Sequence, residues 1–117
     1  MSIHISNVKE PWFSLIKIGK KKAEGRLNKG SFSKMQKGDY IIFKNNEFNL
    51  DRECKVIITD IIKYKTFEEY LINEKIKKCL PGIDTLEDAV SIYRGFYSKS
   101  DEEKFNILAI KIKVIKK

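Results

Sequence analysis

The segment Gly19-Lys20-Lys21-Lys22-Ala23-Glu24-Gly25-Arg26-Leu27 sets the reading of the whole chain. One carboxylate, Glu24, stands among eight basic side chains: Lys17, Lys20, Lys21, Lys22, Arg26, Lys29, Lys34 and Lys37. Glycine at 19 suits a helix exit, and Lys20 to Leu27 reads as the strand that follows. On a strand, Glu24 and Arg26 share a face and can pair. A carboxylate held beside a guanidinium and ammonium groups stays ionised and can orient a polar ligand. Strict alternation puts Lys21 on the opposite face. All three converge only if the backbone is irregular between Gly19 and Lys22, which the glycine permits. The segment is therefore expected to line a polar pocket, with the spare lysines drawing phosphate towards it.

Upstream, Ser2 to Val8 reads as a short strand with Ile3 and Ile5 on one face. Pro11 suits the first position of a helix that ends at Gly19. Trp12, Leu15 and Ile16 recur at helical spacing, which assigns them to the core; the floor of a ligand pocket is the alternative for Trp12. Downstream, Asn28 to Lys37 is a polar, glycine-punctuated loop. Gly38-Asp39 opens the strand Tyr40 to Phe43. Cys54 to Ile62 is the next strand, with Val56, Ile58 and Ile62 on one face and Ile57 and Ile61 on the other, as expected inside a sheet or barrel.

Thr66-Phe67-Glu68-Glu69 is a capping box, and its helix runs past Ile76 to the break at Leu80-Pro81-Gly82. Thr85-Leu86-Glu87-Asp88 has the related form and opens a second helix, closed by Arg94-Gly95-Phe96-Tyr97. Ser100 to Lys104 reads as a charged turn. Ile107 to Ile115 is the last strand, with Leu108, Ile110, Ile112 and Val114 inward and Lys111 and Lys113 outward. The fold class is α+β: a small β-barrel with a helix before the basic strand and a helical insert before the last strand.

At 117 residues the chain fits one domain with a real hydrophobic core. A hydrophobic content of 42% argues against disorder, and a net charge of +8 favours nucleic acid or another anionic partner. Two cysteines, Cys54 and Cys79, are too few for a disulfide framework, and a single histidine, His4, leaves no Cys/His cluster for a metal. No metal and no cofactor are expected. No apolar run approaches a membrane span, and no apolar signal-peptide core is visible, so the expectation is a soluble protein of the cytoplasm or nucleus. A monomer is expected; the sequence offers no specific patch for a protein partner.

Taken together, these residues resemble the ASCH domain, the activating signal cointegrator homology family, whose fold is similar to the PUA barrel of RNA-modification proteins. The resemblance rests on Pro11-Trp12-Phe13 and on a G-x-K-x-x-E-x-R pattern formed by Gly19, Lys21, Glu24 and Arg26. Gly38-Asp39, Phe67-Glu68-Glu69-Tyr70-Leu71, Leu80-Pro81-Gly82 and Tyr93-Arg94-Gly95-Phe96-Tyr97-Ser98 follow in the expected order. It implies one PUA-like domain over residues 1–117, with a cleft lined by the basic motif and RNA or a nucleoside as ligand. Some relatives are amidohydrolases that deacetylate N4-acetylcytidine, and some are ribonucleases. The deacetylating branch has a threonine three residues after its motif lysine and a separate glutamate further on. Here the first position holds Glu24, a departure from that pattern, and Glu74 is the candidate for the second acid.

Two readings therefore stand: an RNA- or nucleotide-binding module, or a hydrolase. In the first, Lys20, Lys21, Lys22, Arg26 and Lys29 contact phosphate, Glu24 accepts from an exocyclic amine, and Tyr93 and Tyr97, four apart, orient or stack on a base. In the second, Lys21 acts as base or nucleophile if its pKa is depressed, Glu24 serves as general base, and Tyr93 assists. Lys99, Lys104, Lys111, Lys113, Lys116 and Lys117 are expected as solvated charge extending a phosphate track.

Overall fold

A computed structural model describes residues 1–115; Lys116 and Lys117 lie outside the described residues. Five strands form one sheet: β1 (Ile3–Asn7), β2 (Ala23–Leu27), β3 (Tyr40–Asn45), β4 (Arg52–Tyr64) and β5 (Ile107–Val114), in spatial order β1-β3-β4-β5-β2. β1 runs parallel to β3, and every other pair is antiparallel. The sheet curls until its two edges approach, and Arg26 Nη2 on β2 donates to the Asn7 carbonyl on β1 at 3.3 Å. No ladder joins these edges among the described residues, so the expected barrel is a curled half-barrel. The gap between its edges forms the cavity described below.

Two apolar layers hold the sheet. Inside the curl, α1 (Trp12–Lys17) buries Phe13 and Ile16 against Ile41, Phe43, Val56 and Ile110. On the other face, α2 (Phe67–Glu74), α3 (Ile76–Cys79) and α4 (Leu86–Arg94) bury Phe67, Tyr70, Leu71 and Ala89 against Leu27, Ile107 and Ala109. β5 is thus apolar on both faces because both are covered. Lys111 is half-exposed and pairs with Glu74 at 3.4 Å instead of standing free in solvent.

Local chemistry explains most boundaries. Thr66 Oγ1 accepts from Glu69 N and Thr85 Oγ1 from Asp88 N, capping α2 and α4. Ser98 does the same for Asp101 N, so the expected charged turn is a helix, α5 (Lys99–Phe105). The helix expected past Ile76 breaks at Lys75, whose φ is 79°. In β4 the register shifts between Ile58 and Asp60, a bulge at Thr59. That extra residue resets the alternation: Ile61 packs with Val56 and Ile58, and Ile62 joins the opposite layer, the reverse of strict period-two reading. Ile3 and Ile5 share the exposed face of β1.

Candidate functional site

The motif segment is not a strand until Ala23. At Gly19 the chain takes φ +82°, and the backbone N–H groups of Lys20 and Lys21 both donate to the Leu15 carbonyl at 3.0 Å. Folding back onto the end of α1 breaks the alternation and turns Lys21 inward, onto the side occupied by Glu24. Lys21 Nζ donates to the Ala23 carbonyl at 2.8 Å and to the Cys79 carbonyl, and lies 3.5 Å from Glu24 Oε1. The three protons of an ammonium thus meet three acceptors. Burial pushes the Lys21 pKa down, and the Glu24 carboxylate works against that shift.

Glu24 is held from both sides. Its second oxygen accepts from Arg26 Nη2 at 3.2 Å. Burial disfavours its charge, but Lys21 and Arg26 outweigh burial and hold its carboxyl below the usual range. Burial also opposes the charge on Arg26, and the Glu24 carboxylate more than restores it. One carboxylate between two cations leaves a local charge of +1. Glu24 uses two lone-pair sites on these partners, and a carboxylate offers about four. Its remaining capacity faces a cavity of about 430 Å³.

Aromatic rings form the next wall. Phe67, fully buried, stacks on Tyr93 at 4.5 Å and on Tyr97 at 5.5 Å between ring centroids, with interplanar angles of 10° and 13°. Tyr93 Oη lies 3.3 Å from Tyr70 Oη. Burial and the Glu24 charge raise both cavity-lining phenols above their ordinary range, against the opposing charge of Arg26 at Tyr97, so they stay neutral and can donate or accept hydrogen bonds. Phe96 lies at the exposed rim beside Tyr97, with centroids 6.3 Å apart.

The wall opposite comes from the far edge of the sheet. Because β1 pairs in parallel with β3, Asn7 stands beside Lys44, and both line the cavity together with Lys9 and Glu47. Asn45 fixes this corner: its amide donates to the Val8 carbonyl at 2.9 Å and to Glu47 Oε1 at 2.6 Å, while its oxygen accepts from Glu47 N and Arg52 Nη2. Arg52 continues to Glu10 at 3.0 Å, so the β3–β4 turn is tied to the entry of α1. Four cations (Lys9, Lys21, Arg26, Lys44) and two carboxylates (Glu24, Glu47) line the hollow, a net of +2.

A family model of the ASCH domain matches residues 7–116, nearly the full chain. The chain belongs to the ASCH domain family. It is similar to the crystal structure of hypothetical protein PH0355, at 37% identity and a TM-score of 0.86, covering 98% of this chain and 100% of that one. The solution NMR structure of protein PF0455 from Pyrococcus furiosus is similar at 32% identity and a TM-score of 0.79, covering 98% and 99%. An ASCH domain from Lactobacillus crispatus shares the fold at 18% identity and a TM-score of 0.66, covering 95% and 79%. No curated protein matches the sequence.

Of the residues singled out in the sequence, this ASCH domain brings Lys21, Glu24, Arg26, Tyr93 and Tyr97 to one cavity. Lys20, Lys22 and Lys29 do not line it. Lys22 is exposed and caps the Gly19 carbonyl, and Lys29 Nζ lies over the Phe105 ring. Glu74 is also elsewhere, buried between the Tyr64 hydroxyl and Lys111. Trp12 is partly buried, packs on both apolar layers and lines the cavity, so the pocket-floor alternative describes it alongside the core one. Lys9, Lys44, Glu47 and Phe96 were not singled out. No local motif marks the first three, which arrive through the parallel β1–β3 pairing. The described helices include none long and apolar enough to cross a membrane, and no cluster of three or more potential metal ligands occurs among the described residues.

Proposed function

We propose that this ASCH domain binds RNA or a nucleotide in the cavity between the edges of its PUA-like half-barrel. The observation that carries the reading is the ionised Glu24, clamped between Lys21 and Arg26 on the wall of a hollow with a net charge of +2. Glu24 accepts from an exocyclic amine or ring N–H of a base, and the free edge of the Arg26 fork donates to a neighbouring acceptor or phosphate. Tyr93 and Tyr97 supply neutral hydroxyls and ring faces, and Lys9 and Lys44 meet backbone phosphates at the rim. Lys21, with its protons engaged by protein acceptors, serves to hold Glu24 in place. The test is titration of single-stranded RNA at several salt concentrations, beside Arg26→Ala. Affinity is expected to fall steeply with salt and to drop in the variant; absence of RNA binding at low salt rejects the proposal.

A hydrolase acting on a modified nucleoside or on RNA is the second reading, with Lys21, Glu24 and Tyr93 as its reacting groups. Burial of Lys21 favours it, since a lysine acts as base or nucleophile only after losing a proton. Its requirement is a proton lost from an ammonium that two carbonyls and a carboxylate stabilise. Incubation with N4-acetylcytidine and with RNA, beside Lys21→Ala and Glu24→Gln, decides between the readings: turnover that both variants abolish favours the hydrolase.

A further inference from the structure

We infer that the cavity takes one nucleotide out of a longer single strand, and that the rim residue Phe96 is the stacking platform for the adjoining base. The inference rests on the RNA reading above and extends it beyond the cavity. Three observations carry it.

The first is size. A hollow of about 430 Å³ lies in the range of single small-molecule sites, about 300–1,000 Å³. A strand that places one nucleotide there must continue over the rim.

The second is the ring itself. Phe96 lines the mouth yet is 59% exposed, whereas Phe67, in the same aromatic group, is fully buried. From Phe67 through Tyr97 to Phe96 the rings run outward, with centroid spacings of 5.5 and 6.3 Å. The outermost has an open face. Its backbone is fixed: the N–H groups of Phe96 and Tyr97 both donate to the Tyr93 carbonyl, at 3.0 and 2.9 Å. Arg94 locks the same turn by bonding Glu102 at 3.0 Å and the Tyr97 carbonyl at 3.5 Å. An exposed aromatic on a pre-ordered turn stacks a ligand ring without a large ordering cost.

The third is charge. The cations at the opposite wall, Lys9 and Lys44, complement a polyanion that leaves the cavity at this mouth, and base stacking on aromatic rings tolerates any sequence.

The experiment compares nucleoside 5′-monophosphates with a mixed-sequence single-stranded RNA octamer, using wild type, Phe96→Ala, Phe96→Trp and Arg26→Ala. Phe96→Ala is expected to lower the octamer-to-monophosphate affinity ratio about tenfold, within the range of losing one stacked base, and Phe96→Trp to restore it. An unchanged ratio in Phe96→Ala, with Arg26→Ala still weakening the octamer, overturns the platform alone. Octamer binding that neither variant weakens overturns the cavity reading as well, as does failure of every probe to bind.

Discussion

The ring of Tyr70 rests on the backbone of Gly25 so closely that a methyl group at Gly25 would lie 2.6 Å from Tyr70 Cε2. Tyr70 is fully buried, carries the hydrogen bond to Tyr93 and sits on α2, whereas Gly25 occupies the strand between Glu24 and Arg26. The glycine is required because the helical layer presses an aromatic ring onto the motif strand. Gly25→Ala is expected to destabilise the fold by about 1–3 kcal/mol through overpacking, read as a lower denaturation midpoint. A variant as stable as the parent would mean the ring has room to retreat.

Glu24→Gln keeps the side-chain shape and removes the countercharge of a lysine whose side chain is 1% exposed. Breaking a buried pair from one side costs about 3–5 kcal/mol, and chemical denaturation of the variant is expected to show a loss of that order. A near-parental midpoint would indicate that Lys21 is already neutral in the native protein, the state the hydrolase reading needs.

Acid stability has an assignable origin at the other end of the sheet. Asp39 accepts from Ser2 N at 3.0 Å, Gln36 N at 3.0 Å and His4 Nε2 at 2.9 Å, and its pKa falls from 3.8 to about 2, the His4 bond contributing most. The native pKa lies below the unfolded one. The stabilisation is therefore complete above pH 3.8 and lost as pH falls through about 2. Asp39→Asn is expected to flatten the decline of stability across that window while lowering stability at neutral pH. An acid profile parallel to the parent's contradicts this.

Salt dependence separates the rim from the rest of the basic segment. Lys44 lines the cavity, whereas Lys20 is exposed and does not. If single-stranded RNA follows the mouth of the cavity, Lys44→Ala should reduce the slope of log affinity against log salt by about 0.7, one phosphate contact. Lys20→Ala should leave it nearly unchanged. Equal effects would point to diffuse attraction by the net charge of the chain.

The elements with local causes were legible in the sequence: helices capped at Thr66 and Thr85, the strand after Gly38-Asp39, and the apolar alternation of Leu108, Ile110 and Ile112. Ser98 escaped although it caps α5 by the same chemistry. The bulge at Thr59 escaped because alternation carries no mark of an inserted residue. Within the site, the pairing of Glu24 with Arg26 followed from their spacing, and their meeting with Lys21 depended on a kink that Gly19 allows and does not dictate.

The sequence by itself determined the family, the α+β class with its order of strands, and the charged trio, because caps, periodicity and an ordered set of motifs are properties of neighbouring residues. Only the tertiary structure decided which cations face the cavity. Lys9 and Lys44 are 35 positions apart and come together through the parallel pairing of the edge strand β1 with its neighbour β3. Lys20 and Lys22, inside the motif, are turned away by the fold-back onto α1. Proximity along a chain fixes local conformation, and the sheet's curl fixes which side chains share a hollow.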